Sequence, residues 1–158
     1  MAALSEIYNS KIIELAAHIP RAIRLESPDA TATAHSKLCG STITVDLKLD
    51  HGRVTEFGQL VKACLLGQAA ASVLGREIVG STAAELHQIA DRMRRMLKDG
   101  GEPPEGRWAD LAVLQPVKDY KARHASTLLV FDAVERALGE IEQRREATGA
   151  EACAGSPG

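Results

Sequence analysis

Cys39 stands in the stretch SKLCGSTITVDL, immediately before Gly40, and Cys64 stands in VKACLLGQ. Thiolates are soft metal ligands and nucleophiles, so two cysteines that meet in space offer metal binding or sulfur chemistry. A reduced cysteine is also a small hydrophobe that fills a core, and taken alone these two read first as buried side chains. The third, Cys153, lies in the C-terminal stretch EATGAEACAGSPG, where nothing in the sequence would dock it. Ser126 and His124 are the other candidates, because both fall at the start of the last helical segment.

The elements around the cysteines decide whether they meet. ITVDLKL puts Ile43, Val45, Leu47 and Leu49 on one face, with Thr44, Asp46 and Lys48 on the other, the alternation of a half-buried strand. The turn Asp50-His51-Gly52 and the return strand RVTEFGQLV complete a hairpin. With a three-residue loop, Leu49 faces Arg53, Leu47 faces Thr55, and Cys39 comes opposite Ala63, next to Cys64. A two-residue loop would set the two cysteines directly opposite. Either register brings both to one open end of the hairpin. Cys64 also stands where the strand passes into the small-residue segment LLGQAAASVLG, read as a tightly packed helix. A helix N-terminus favours the thiolate, the form that binds metal.

A tetrahedral soft-metal site needs more than two ligands, and the last helix is where others would come from. Leu129, Val130, Ala133, Val134, Ala137, Leu138 and Ile141 form an apolar arc at helical spacing. Ser126 lies on the edge of that arc and points inward. His124, two residues earlier, projects to nearly the opposite side of a regular helix.

The remaining elements form one domain. Ile7, Ile12, Ile13, Leu15 and Ala16 predict a helix over 5–18, with Ser5 as a cap and Pro20 as its stop. AIRLES and TATAHS read as two strands separated by the Ser27-Pro28-Asp29 turn. Thr82 and Glu85 form a capping-box pattern for a helix reaching about Leu97. KDGGEPPEG is a loop, a short segment surrounds Trp108–Leu114, and a final helix is expected from about Asp119 to Arg145. Residues 1–145 form a single domain, and 146–158 read as a disordered tail. Strands early and helices late make the fold class α+β.

Composition limits the function. The 158 residues carry a net charge of −2 and only 3% aromatics, so aliphatic side chains and alanine fill the core. No basic excess argues for nucleic acid and no apolar run for a membrane, and no secretory leader is evident. Three cysteines make a disulfide framework unexpected, and a reducing cytoplasmic setting is the default. His18 and His87 read as ordinary helix-surface or boundary residues, His51 as exposed in its turn, and His35 as a strand-face residue. The cationic stretch DRMRRMLKDG complements a helix C-terminus and needs no partner.

At these residues the sequence resembles the U-type iron–sulfur cluster assembly scaffolds, the IscU and NifU N-terminal-domain family. The likeness spans about residues 5–140. It rests on SEIYNSKIIELA, a meander, CG before a strand, KACLLGQAAASVLG, and PVKDYKARHASTLLVFDAVERAL, in the family's order. The resemblance implies a small antiparallel three-stranded meander packed against several helices. It also implies a transient iron–sulfur cluster held by three cysteines, with an aspartate after the first and a histidine near the third assisting cluster or zinc binding. Zinc in the isolated protein, a cysteine desulfurase as sulfur donor, and cluster-acceptor proteins follow from the same likeness. The first two cysteines correspond to Cys39 and Cys64, whereas Ser126 stands at the third and Ser41 at the aspartate. His124 is displaced by one residue.

The ligand set so implied is Cys39, Cys64 and His124, with a poor hard donor at Ser126. A non-catalytic scaffold or carrier is the function expected. It would share ligation with a partner's thiol or with a second protomer in a homo-oligomer. A non-assembling binding or regulatory relative, and a persulfide acceptor using Cys64, remain as alternatives.

Overall fold

The computed structural model describes residues 9–37 and 40–155, with side chains described as far as Arg144. Cys39, Ser5, Ile7 and the side chain of Cys153 therefore lie outside the described residues. The chain runs α1 (Ser10–Ala17), β1 (Ala30–His35), β2 (Thr42–Asp50), β3 (Arg53–Lys62), α2 (Leu65–Glu77) and α3 (Ala83–Lys98). Then come 3-10 turns over Gly106–Asp119 and Lys121–Arg123, and α4 (His124–Gly155). The strands form an antiparallel sheet in the order β1-β2-β3, the α+β meander expected.

The β2–β3 hairpin differs from its predicted register. Asp50 pairs with Arg53 and Leu49 with Val54, so the loop is the two residues His51 and Gly52. Both take positive φ, 53° and 78°, the conformation whose twist suits a two-residue hairpin. A bulge between Lys48 and Leu49 then shifts the ladder, so that Leu47 faces Phe57 and Thr42 faces Lys62. Continued at that spacing, the register aligns position 64 with position 40. Gly40 has φ 71°, and its N–H donates to the Ser36 carbonyl at 2.8 Å. A glycine after Cys39 suits that turn.

AIRLES is not a strand. The segment 21–27 crosses the sheet face away from the helices, held by a carboxylate on β2. Asp46 is fully buried and accepts from Arg24 Nε at 2.6 Å, the Leu25 N–H at 3.0 Å and the Thr31 hydroxyl at 2.6 Å. The segment lies so close that a Cβ on Gly58 would stand 2.2 Å from the Ile23 carbonyl oxygen. The alternation in the sequence matched a strand, but this tertiary anchor bends the backbone instead.

On the other face, Ile43, Val45, Leu47 and Phe57 join a core with α2, α3 and α4. The arc Leu129 to Ile141 on α4 is buried as predicted, and α4 packs across β1 and β2 and against α2. Thr82 Oγ1 caps α3 by accepting from the Glu85 N–H at 3.1 Å. The final helix begins later than predicted, at His124, because residues 106–123 are taken up by 3-10 turns that include Pro116. It continues to Gly155, beyond the expected end at Arg145.

Candidate functional site

Cys64 is the N-cap residue of α2, with an extended backbone (φ −67°, ψ 171°), and its side chain makes no cap bond. The β3 strand ends at Lys62, so the chain passes into α2 with Cys64 half-buried at the end of the sheet. The first turn of α4 lies directly against it. Cys64 Sγ donates to Ser126 Oγ at 3.3 Å, and Ser126 Oγ donates to the Arg123 carbonyl at 3.2 Å. Ser126 is 2% exposed, which matches an inward position on the edge of the arc.

Close backbone contact sets this geometry. Gly67 is three residues past Cys64, and a Cβ there would stand 2.9 Å from both Ala63 Cβ and the Ser126 carbonyl oxygen. The absent side chain lets α2 and the start of α4 touch. Sequence reasoning noticed the small-residue texture of α2 but not this residue, whose signal is a glycine one turn into an alanine-rich helix. On the cysteine side, Gln68 Nε2 donates to the Ala63 carbonyl at 2.8 Å and fixes the corner between strand and helix.

His124 is buried, and its Nε2 lies 3.0 Å from the Val117 carbonyl and 3.1 Å from the Lys118 carbonyl. Both neighbours are acceptors, so this nitrogen carries the proton and the ring ties the 3-10 segment to α4. That nitrogen therefore faces backbone rather than the Cys64–Ser126 pair. Ser41, which the resemblance sets against the family aspartate, is buried, and its carbonyl accepts from the Ser36 N–H at 2.8 Å. In the sequence Cys39 stands between Ser36 and Ser41, and it lies outside the described residues. Among the described residues, no three His, Cys, Asp or Glu side chains are grouped as a metal set.

The other histidines differ from one another. His35 Nδ1 lies 3.2 Å from Thr42 Oγ1, and exposed His51 pairs with Asp50 at 3.0 Å. His87 does more than decorate a surface: Nδ1 lies 3.0 Å from Glu135 and Nε2 2.9 Å from Glu142, which joins α3 to α4. Arg94 extends this network to Asp132, at 3.1 Å, and to Glu135. Among the described residues, no helix is long and apolar enough to cross a membrane.

Comparison with known proteins agrees with this fold. Residues 7–127 match the sequence model of a family described as the NifU-like N terminal domain. The iron–sulfur cluster assembly scaffold protein IscU of Thermotoga maritima is 27% identical over 117 residues, covering 73% of this chain and 82% of the relative. The crystal structure of a nitrogen-fixing NifU-like protein (N-terminal) from Brucella abortus superposes with a TM-score of 0.87 at 55% identity, covering 89% of this chain and 97% of that one. A putative iron–sulfur cluster assembly scaffold for the SUF system, from Fervidobacterium islandicum AW-1, shares the fold at TM-score 0.78 and 21% identity, covering 86% and 99%.

Proposed function

The chain belongs to the NifU-like N-terminal domain family, and on that premise we propose that it is an iron–sulfur cluster assembly scaffold or carrier. One observation carries the reading: the start of α2 and the start of α4 meet at Cys64 Sγ and Ser126 Oγ, 3.3 Å apart. Those are the two elements to which the resemblance assigns the second and third cluster ligands.

The cluster is cargo, received and passed on. Cluster iron takes thiolate ligands, and Cys64 supplies one from the N-cap of α2. Cys39, immediately before Gly40 in the sequence, supplies the other. Ser126 offers a hard oxygen and holds cargo more weakly than a thiolate would. His124 acts through the 3-10 segment by fixing the two carbonyls beside it. A site with two soft donors and one hydroxyl releases its cargo readily, which suits transfer. Partners of this reading are a cysteine desulfurase that delivers sulfur and proteins that accept the cluster. The protein itself binds and carries without catalysing a reaction.

The same contact favours a second reading, in which Cys64 accepts a persulfide. A persulfide beside a thiol is open to attack, forming a disulfide and releasing hydrosulfide. The Ser126 hydroxyl, the neighbour of Cys64 Sγ at 3.3 Å, cannot make that attack, so from the α4 side the sulfane sulfur is spared.

Anaerobic incubation with iron, sulfide and a desulfurase, read by visible absorption and metal analysis, tests the proposal. An oxygen-labile, substoichiometric cluster that is lost in both Cys39→Ser and Cys64→Ser supports it. Binding untouched by both substitutions overturns it. A persulfide on Cys64 without bound metal assigns the protein to the second reading.

A further inference from the structure

A cavity of about 440 Å³ opens between the C-terminal half of α3 and the first turns of α4, lined by Arg94, Lys98, Lys121, His124, Leu128 and Asp132 among others. It shares the first turn of α4 with the Cys64–Ser126 contact but takes the other side of that helix. Its charges are unbalanced. Arg94 is already held by Asp132 and Glu135, so the one carboxylate lining the cavity is committed. Lys98, in the last turn of α3, and Lys121, in the 3-10 turn before α4, have no ion-pair partner among the described residues. Two lysines from separate elements thus line one concave space. A concave surface with an excess of one sign of charge concentrates the field and draws a counter-charge. Leu128 supplies an apolar floor.

The geometry points to a binding site for a small polyanion that carries two phosphate or carboxylate groups, one for each lysine. A concave, half-open cleft of this volume suits a small molecule better than the flat face of a protein. This inference is independent of the cluster reading, since neither Cys64 nor Ser126 lines the cavity.

Calorimetric titration of the full chain with pyrophosphate and with citrate tests the site, alongside amide NMR shifts. Saturable binding of either anion, with shifts centred on Ala125 and Leu128, is expected. Pyrophosphate alone marks the ligand as a phosphate, and citrate alone as a carboxylate. Lys98→Ala and Lys121→Ala each weaken binding by about tenfold or more, while Lys48→Ala on β2 leaves it unchanged. Equal losses in all three variants reduce the effect to general surface charge and overturn the site. Absence of binding by both anions overturns it too, as does binding of a glutamate-rich peptide alone, which would make the cleft a protein-docking face.

Discussion

Gly67 of α2 and Ser126 of α4 are in backbone contact: a Cβ on the glycine would stand 2.9 Å from the Ser126 carbonyl oxygen. The seating of the Cys64 thiol against the Ser126 hydroxyl depends on this approach.

Gly67→Ala therefore forces the two helices apart and costs about 1–3 kcal/mol, the usual range for overpacking. Gly139→Ala is its control, because a Cβ there meets nothing within 4 Å and alanine suits a helix better than glycine. Thermal melting should show a lowered midpoint for the first variant and an unchanged or raised one for the second. Equal melting of both variants would remove Gly67 from the account of the site.

Much of this frame was legible in the sequence, and the misses have physical causes. The Ile43-Val45-Leu47 alternation and the Leu129–Ile141 arc were readable because burial imposes a period on them. The bulge after Lys48 was not, since a one-residue shift leaves no local composition signal. AIRLES alternates like a strand, yet Asp46, distant in sequence, captures Arg24 and the Leu25 N–H and bends it. Placing Ser126 inward needed only helical spacing. The engagement of His124 with the Val117 and Lys118 carbonyls depended on 3-10 turns that the sequence does not announce.

Asp46 provides a test of that anchor. Burial pushes its carboxyl up, but hydrogen bonds from Arg24, Thr31 and the Leu25 N–H outweigh burial and hold it below the ordinary 3.8. A depressed carboxylate contributes stability above its unfolded value and loses it as pH falls through the folded value. Asp46→Asn should cost about 1–3 kcal/mol in urea denaturation at neutral pH. The gap between variant and wild type should close under acid conditions below 3.8. A gap that persists there would contradict the charge-based anchor.

His87 gives the opposite sign. Burial lowers its imidazole, yet hydrogen bonds to Glu135 and Glu142, together with their charges, raise it above the ordinary 6.5. Glu135 in turn is pushed up by burial and drawn below its ordinary 4.5 by Arg94 and His87. The imidazolium stabilises the α3–α4 junction fully below the unfolded histidine value and loses its effect as pH rises through the folded one. The melting temperature should therefore fall as pH rises through and beyond 6.5, and His87→Gln should flatten that slope. An identical slope in the variant would show that His87 does not carry it.

The central claim is that Cys64 and position 126 face one cargo site. Cobalt(II) titration under anaerobic conditions tests it most directly, because the sulfur-to-cobalt charge-transfer band grows with the number of coordinating thiolates. The account predicts a weak band for the wild type and a stronger band with tighter retention for Ser126→Cys. Adding Cys64→Ser to that variant should reduce it again. A Ser126→Cys band no stronger than wild type would contradict the claim.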